Sequence, residues 1–129
     1  MIQNKAQIIL SALGCHDAEL SILIVDDDQI AELNQTYLNR SGPTNVIAFP
    51  MSQGEFSDIN PKLLGDVVIS VDTAQKEAVD SGSSMETRFL QLLVHGVLHL
   101  LGYDHEQTGD QARRMNEKSQ ELESLLMIS

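Results

Sequence analysis

Three of the four histidines fall within eleven residues, in the segment His95-Gly-Val-Leu-His99-Leu-Leu-Gly102-Tyr-Asp-His105. On a helix, positions i and i+4 share a face, about 6 Å apart along the axis, so His95 and His99 can converge on one ion. Gly102 can end that helix in a left-handed turn, and Tyr103-Asp104 can then bring His105 back as a third ligand. Three neutral imidazoles with a fourth position left open describe a catalytic zinc site. The expected metal ligands are therefore His95, His99 and His105, holding one Zn2+. The spacing is that of the zincin pattern H-E-x-x-H-x-x-G-x-x-H, except that Gly96 stands where the glutamate should be. In a metalloprotease that glutamate passes a proton from water to the leaving amine. Glycine cannot, so peptide hydrolysis is disfavoured. A phosphodiester, whose oxygen the metal can polarise while activating water, fits better. A single histidine on an apolar helix is normally a hydrogen-bonded core residue. Two in a helix as apolar as Phe89 to Leu101 are costly to bury unless something pairs them. His16 has no such context.

The elements that must position this segment can be read from periodicity. Residues 4–13 pattern as a helix with Ile8, Ile9, Ala12 and Leu13 on its apolar side. Leu20 to Val25 reads as a buried strand that ends at the run Asp26-Asp27-Asp28, where an aspartate can cap a helix over about Gln29 to Tyr37. Asn45 to Phe49 is a second strand closed by Pro50, and Asp66 to Val71 a third, with a polar loop over 51–64 between them. A helix over 72–80 follows. Strand, helix, strand between residues 20 and 49 predicts a right-handed parallel crossover, with the third strand joining in a mixed sheet. Ser83 and Glu86 have capping-box spacing before the histidine helix. A last helix over about 109–127 carries Met115, Leu122, Leu125 and Leu126 toward the core and leaves Glu117, Glu121 and Glu123 in water. The expected fold class is α+β: a small mixed β-sheet packed with helices, one of them carrying two of the three ligands. No repeat or linker divides the sequence, so residues 1–129 read as one metal-dependent hydrolase domain.

Composition narrows the function further. Hydrophobic residues make up 42% of the chain, enough for a real core. Cys15 is the only cysteine, which fits a reducing compartment, and no apolar run approaches a membrane span. The expectation is a cytoplasmic protein with no membrane partner. Ile8 to Cys15 loosely suggests an export signal, but Lys5 is its only preceding positive charge and an amphipathic helix stopped by Gly14 is the simpler reading. Nineteen acids against eight bases leave a net charge of −11, which argues against broad binding to nucleic acid.

His95 to His105 closely resembles the signature of the YbeY family of bacterial endoribonucleases. Pro43-Thr-Asn-Val-Ile-Ala-Phe-Pro50 resembles a second family segment, and Leu33-Asn34, Tyr37 and Leu64-Gly65-Asp66 stand in the expected order. The resemblance runs from about residue 20 to the end. It implies a zinc-dependent, single-strand-directed RNase that forms the 3′ end of small-subunit ribosomal RNA and acts in ribosome quality control. Its implied partners are ribosomal RNA, the small subunit and a possible ribosome-associated protein. It assigns His95, His99 and His105 the ligand role. Two departures stand out. The arginine usual after the family tyrosine is Leu38 here, with Arg40 the nearest base. The first residues are also too few for the N-terminal strand usual in the family, so an edge strand is expected to be missing.

Around such a site Arg40 and Asn45 are candidates to bind substrate phosphate or sugar, although Asn45 also suits the start of a strand. Asp104 can orient an imidazole as a hydrogen-bond acceptor or bond its own turn. Arg88 lies two turns before His95 and reads as a surface residue. Two alternatives remain: a metal-binding ribosome-assembly factor with little catalysis, favoured by Leu38, and a metallohydrolase of a non-RNA substrate, whose peptide form Gly96 disfavours. Even with a dication bound the net charge stays near −9. Free RNA should therefore bind weakly at physiological salt, and a filter-binding titration showing tight, sequence-indifferent binding to bare RNA would contradict that reading.

Overall fold

The computed structural model of the chain describes residues 2–15, 18–50, 63–101 and 109–128. The elements in order are α1 (Ile2–Ala12), β1 (Glu19–Val25), α2 (Asp27–Leu38), β2 (Val46–Pro50), β3 (Leu63–Ser70), α3 (Val71–Ser81), α4 (Met85–Leu100) and α5 (Gly109–Ile128). The described sheet has the order β1-β3-β2, with β1 parallel and β2 antiparallel to β3. This is the mixed sheet with helices expected of an α+β fold. The crossover differs from expectation. β1 and β2 do not pair, because β3 lies between them, and the parallel neighbours are β1 and β3.

The reason lies in the residues of β3. Val67, Val68, Ile69 and Ser70 are all buried. A strand alternates its side chains between faces, so burial of consecutive residues requires cover on both sides. Val67 and Ile69 join one cluster with Leu93, Val94, Val97 and Leu98 of α4, Ile9 and Leu10 of α1, and Leu122 and Leu126 of α5. Val68 joins a second, with Ile30 of α2 and Ile47 of β2. Only β3 is apolar enough on both faces to take the centre. β1 leaves Leu23 and Ile24 about half exposed, as an edge allows.

Caps set the helix boundaries. Asp26 accepts from Gln29 N at 2.8 Å while Gln29 Oε1 accepts from Asp26 N at 3.1 Å, so α2 starts in a reciprocal capping box, two residues earlier than expected. The cap of α4 is Ser84, which accepts from Thr87 N at 3.0 Å, rather than the Ser83–Glu86 pair. Ser83 is spent on the preceding helix, its N–H bonding Ala78 O at 3.0 Å beyond the left-handed Gly82. On α1 the buried side is Ala6, Ile9 and Leu10, with Ala12 exposed. On α5 Leu122 and Leu126 are buried one turn apart, while Leu125 falls outside that stripe and is 39% exposed. Glu123 is half-buried rather than solvated. Burial raises its carboxyl above the ordinary range, with Arg88 acting in the opposite sense. The side chain of Met115, Gly102 and the turn after it lie outside the described residues. No described helix is long and apolar enough to cross a membrane.

The acidic run after β1 ties three elements together. Asp27 Oδ1 accepts from Ser70 Oγ at 2.6 Å and from Thr73 Oγ1 at 2.5 Å, joining the start of α2 to the end of β3 and the first turn of α3. These two hydroxyls, Ser70 first, hold the Asp27 carboxyl below its ordinary value of 3.8. A lowered folded-state pKa stabilises the fold above the unfolded value, and the gain is lost as pH falls through the folded one. Asp27→Asn keeps an acceptor oxygen and removes the charge. It should melt below the wild type at pH 7, with the gap closing as pH is lowered through 4 toward 3. A gap that is the same at every pH would assign the effect to packing alone.

Candidate metal centre and substrate cavity

From Phe89 to Leu98 helix α4 is buried at all but two positions, Gln91 and His95. His95 and His99, one turn apart, stand on its half-buried edge. Their Nε2 atoms are 3.0 Å apart and their rings meet at 66° with centroids 4.5 Å apart. Two unprotonated nitrogens this close repel each other, so the pair needs a proton or a cation between them. Convergent imidazole nitrogens are the donor set that zinc takes, and these two fit that role. Among the described residues no third His, Cys, Asp or Glu joins them in a metal-holding group. His105 and Asp104 lie outside the described residues.

The helix can lie this close to the sheet because residue 96 has no side chain. A Cβ on Gly96 would stand 2.6 Å from Val67 Cγ1 and 3.2 Å from Val67 Cγ2, with Val46 Cγ2 at 3.4 Å. The glycine seats α4 on β3 and β2. The zincin glutamate is thus absent from a position whose Cβ the sheet already excludes, which the sequence pattern alone could not reveal.

The histidines face a cavity of about 470 Å³. Its walls come from Asn34 and Leu38 of α2, the connection 40–45, β2 at the edge of the described sheet, and His95, Gly96 and His99 of α4. Ser70 N donates to Asn45 O at 2.9 Å, so the antiparallel ladder already begins at residue 45. By the alternation of that ladder Ile47 and Phe49 also turn their backbone groups to β3, while Val46 and Ala48 turn theirs to the outer edge, where the cavity lies. Val46 N donates to Asn45 Oδ1 at 2.7 Å.

Arg40 and Asn45 both line this cavity with the histidines, and so does Leu38. Arg40 is exposed. The Asn45 amide is already engaged, its Nδ2 donating to both Glu77 carboxylate oxygens at 3.3 Å. Arg88 in turn donates to Glu77 Oε1 through Nε at 3.1 Å and Nη2 at 3.0 Å. Arg88 is thus tied through Glu77 to the cavity wall. At the other end of the connection, buried Asn34 donates through Nδ2 to Gly42 O at 3.0 Å, and its carbonyl accepts from Arg40 N at 3.2 Å. Glu77 and Asn34 were not singled out as site residues from sequence. Glu77 carries no local signal, since its partners are 32 and 11 residues away. Asn34 gives one: it is polar at a helix position that shares its face with buried Ile30.

The family model described as "Endoribonuclease YbeY" matches residues 1–126. Curated relatives of that name include one from Geobacter metallireducens, 49% identical over 126 residues, covering 97% of this chain and 84% of the relative. One from Syntrophotalea carbinolica is 52% identical over 122 residues, covering 94% and 81%. Another from Aquifex aeolicus is 48% identical over 116 residues, covering 90% and 75%. Among solved structures, the solution structure of TM1509 from Thermotoga maritima superposes with a TM-score of 0.67 at 26% identity, covering 96% of this chain and 77% of that one.

The seat of α4 is open to direct test. Gly96→Ala gains helix propensity of about 1 kcal/mol but presses a methyl into fully buried Val67. The net effect expected in urea denaturation is a loss of roughly 1–3 kcal/mol. In a Val67→Ala background the same change should cost little or nothing, and equal costs in both backgrounds would show that the contact does not set the seat.

Proposed function

Because the chain belongs to the endoribonuclease YbeY family, we propose that it is a zinc-dependent endoribonuclease that hydrolyses single-stranded RNA, acting on the 3′ end of small-subunit ribosomal RNA and in ribosome quality control. The observation that carries the proposal is the convergence of His95 and His99 Nε2 at 3.0 Å on the wall of a cavity that Arg40 also lines. His95, His99 and His105 would hold the metal, and when bound it supplies Lewis acidity toward a phosphoryl oxygen and lowers the pKa of water. The other residues bind and orient. Arg40 offers a fork of N–H donors to a phosphate. It lines the same cavity as Leu38, two residues earlier, so an arginine displaced along the connection still meets the substrate from the same wall. Asn45 shapes the start of β2, its amide nitrogen held by Glu77. Asp104 would orient an imidazole as an acceptor.

The net charge of −11 supports an enzyme that meets its RNA on the small ribosomal subunit or with a ribosome-associated partner, rather than by capturing free strands. Leu38 favours a second reading, a metal-binding ribosome-assembly factor with weak catalysis, since an apolar side chain there offers a phosphate nothing.

Metal analysis of gently purified protein, paired with cleavage of single-stranded RNA, tests the proposal. About one zinc per chain is expected, with cleavage lost on chelation and restored by added zinc. His99→Ala should lose the metal. A variant that retains it stoichiometrically would refute the ligand assignment, and zinc-loaded protein without cleavage, even on the small subunit, would leave the assembly-factor reading.

A further inference from the structure

Next to the histidine cavity stands an aromatic ring that the proposed chemistry does not use. Tyr37 is 67% exposed, although its ring meets that of Phe49 edge to face, with centroids 5.6 Å apart and an interplanar angle of 71°. The two rings come from the two elements that wall the cavity. Asn34 and Leu38 line it from α2, and Tyr37 lies between them in sequence, about 60° round the helix from Asn34. Ala48 lines it from β2, and Phe49 is the next residue. Phe49 is itself packed against the Ile30, Ile47 and Val68 cluster. The core therefore anchors one ring, and the other packs against it while most of Tyr37 stays open to water.

We infer that Tyr37 is a stacking platform for one unpaired base of the RNA strand whose phosphate lies in the histidine cavity. The inference rests on the function proposed above and names a feature of its substrate. An aromatic ring steadied by the fold on one side and largely open to water is the form in which proteins receive a base that has left its own stack. The polar cavity wall of Arg40, Ser41 and Thr44 suits the sugar-phosphate backbone beside it. Phosphate contacts alone do not distinguish paired from unpaired RNA, because both expose the backbone. A stacking seat does, because a base in a duplex is already stacked and paired. Stacking is also tolerant of sequence, and it draws on surface other than charge, which suits a chain with a net charge of −11.

The test uses zinc-loaded full-length protein and short single-stranded RNA oligonucleotides, intact or with one abasic nucleotide placed at each position in turn. Tyr37→Ala should raise KM roughly 5- to 150-fold, with kcat changed far less and the melting temperature lowered only slightly, since the side chain is mostly exposed and gives up one ring contact. Tyr37→Phe keeps the ring and should stay close to the wild type. At one position the abasic substrate should raise the wild-type KM to that of Tyr37→Ala on intact RNA, and cost the variant nothing further. If Tyr37→Ala matches the wild type, if Tyr37→Phe fails as badly as Tyr37→Ala, or if abasic and alanine effects simply multiply at every position, the platform is excluded while the nuclease stands. Wild-type protein that cleaves none of the oligonucleotides overturns the platform, and if it also cleaves no RNA on the small subunit the proposed function falls with it.

Discussion

The contact of Gly96 with Val67 determines where everything else can stand. A helix normally rests on a sheet through interleaved side chains, which keep the backbones apart. Here α4 has a gap in that layer, and Val67 fills it. The closer approach brings the half-buried edge of α4 level with the outer edge of β2, so that His95 and His99 open onto the connection that precedes the strand. Val67 can occupy the gap because β3 is central and covered on both faces. The order of strands, the burial of β3 and the placing of the histidines are one packing solution.

Polar contacts then hold the cavity walls against that frame. Two carboxylates do most of this. Asp27 gathers hydroxyls from Ser70 and Thr73 and ties α2 to the junction of β3 and α3. Glu77 sits between Arg88 on α4 and Asn45 at the head of β2, so the helix that carries the histidines also braces the wall opposite them. Asn34, buried on α2, holds the same connection from its other end through Gly42. Such contacts matter more for geometry than for stability. An ion pair as accessible as that of Arg88 and Glu77 contributes about 1 kcal/mol at most, yet it limits how far Asn45 can move.

An acidic enzyme for a polyanion needs recognition that does not depend on bulk charge. Under the proposed function the cavity would meet this with one exposed arginine, a hydroxyl-bearing connection and the aromatic pair carried by two of the elements that wall it. Arg40 and Leu38 share a wall because the connection turns through the left-handed Asn39 directly after α2, with Arg40 N–H closing back onto Asn34 O. A base two positions further along the chain therefore remains beside the same space.

The sequence by itself determined the elements, the paired histidines and the family resemblance, because these depend on short-range spacing. An i,i+4 pair on a helix needs no partner to be recognised, and neither does an aspartate before a helix. It also foretold a mixed sheet with helices. What it could not decide was which strands are neighbours. β1 and β2 are close in sequence but are kept apart by β3, whose claim to the centre comes from burial on both faces. It misplaced the cap of α4 by one residue, since Ser83 and Ser84 are alike until Ala78 takes the N–H of one of them. It read Gly96 as the absence of the zincin glutamate but could not show that Val67, a residue from another element 29 positions earlier, leaves no room for a side chain there. Glu77 was invisible for the same reason. Tertiary structure alone decided these points, because each depends on atoms that are distant in the chain and adjacent only once α4 has settled on β3.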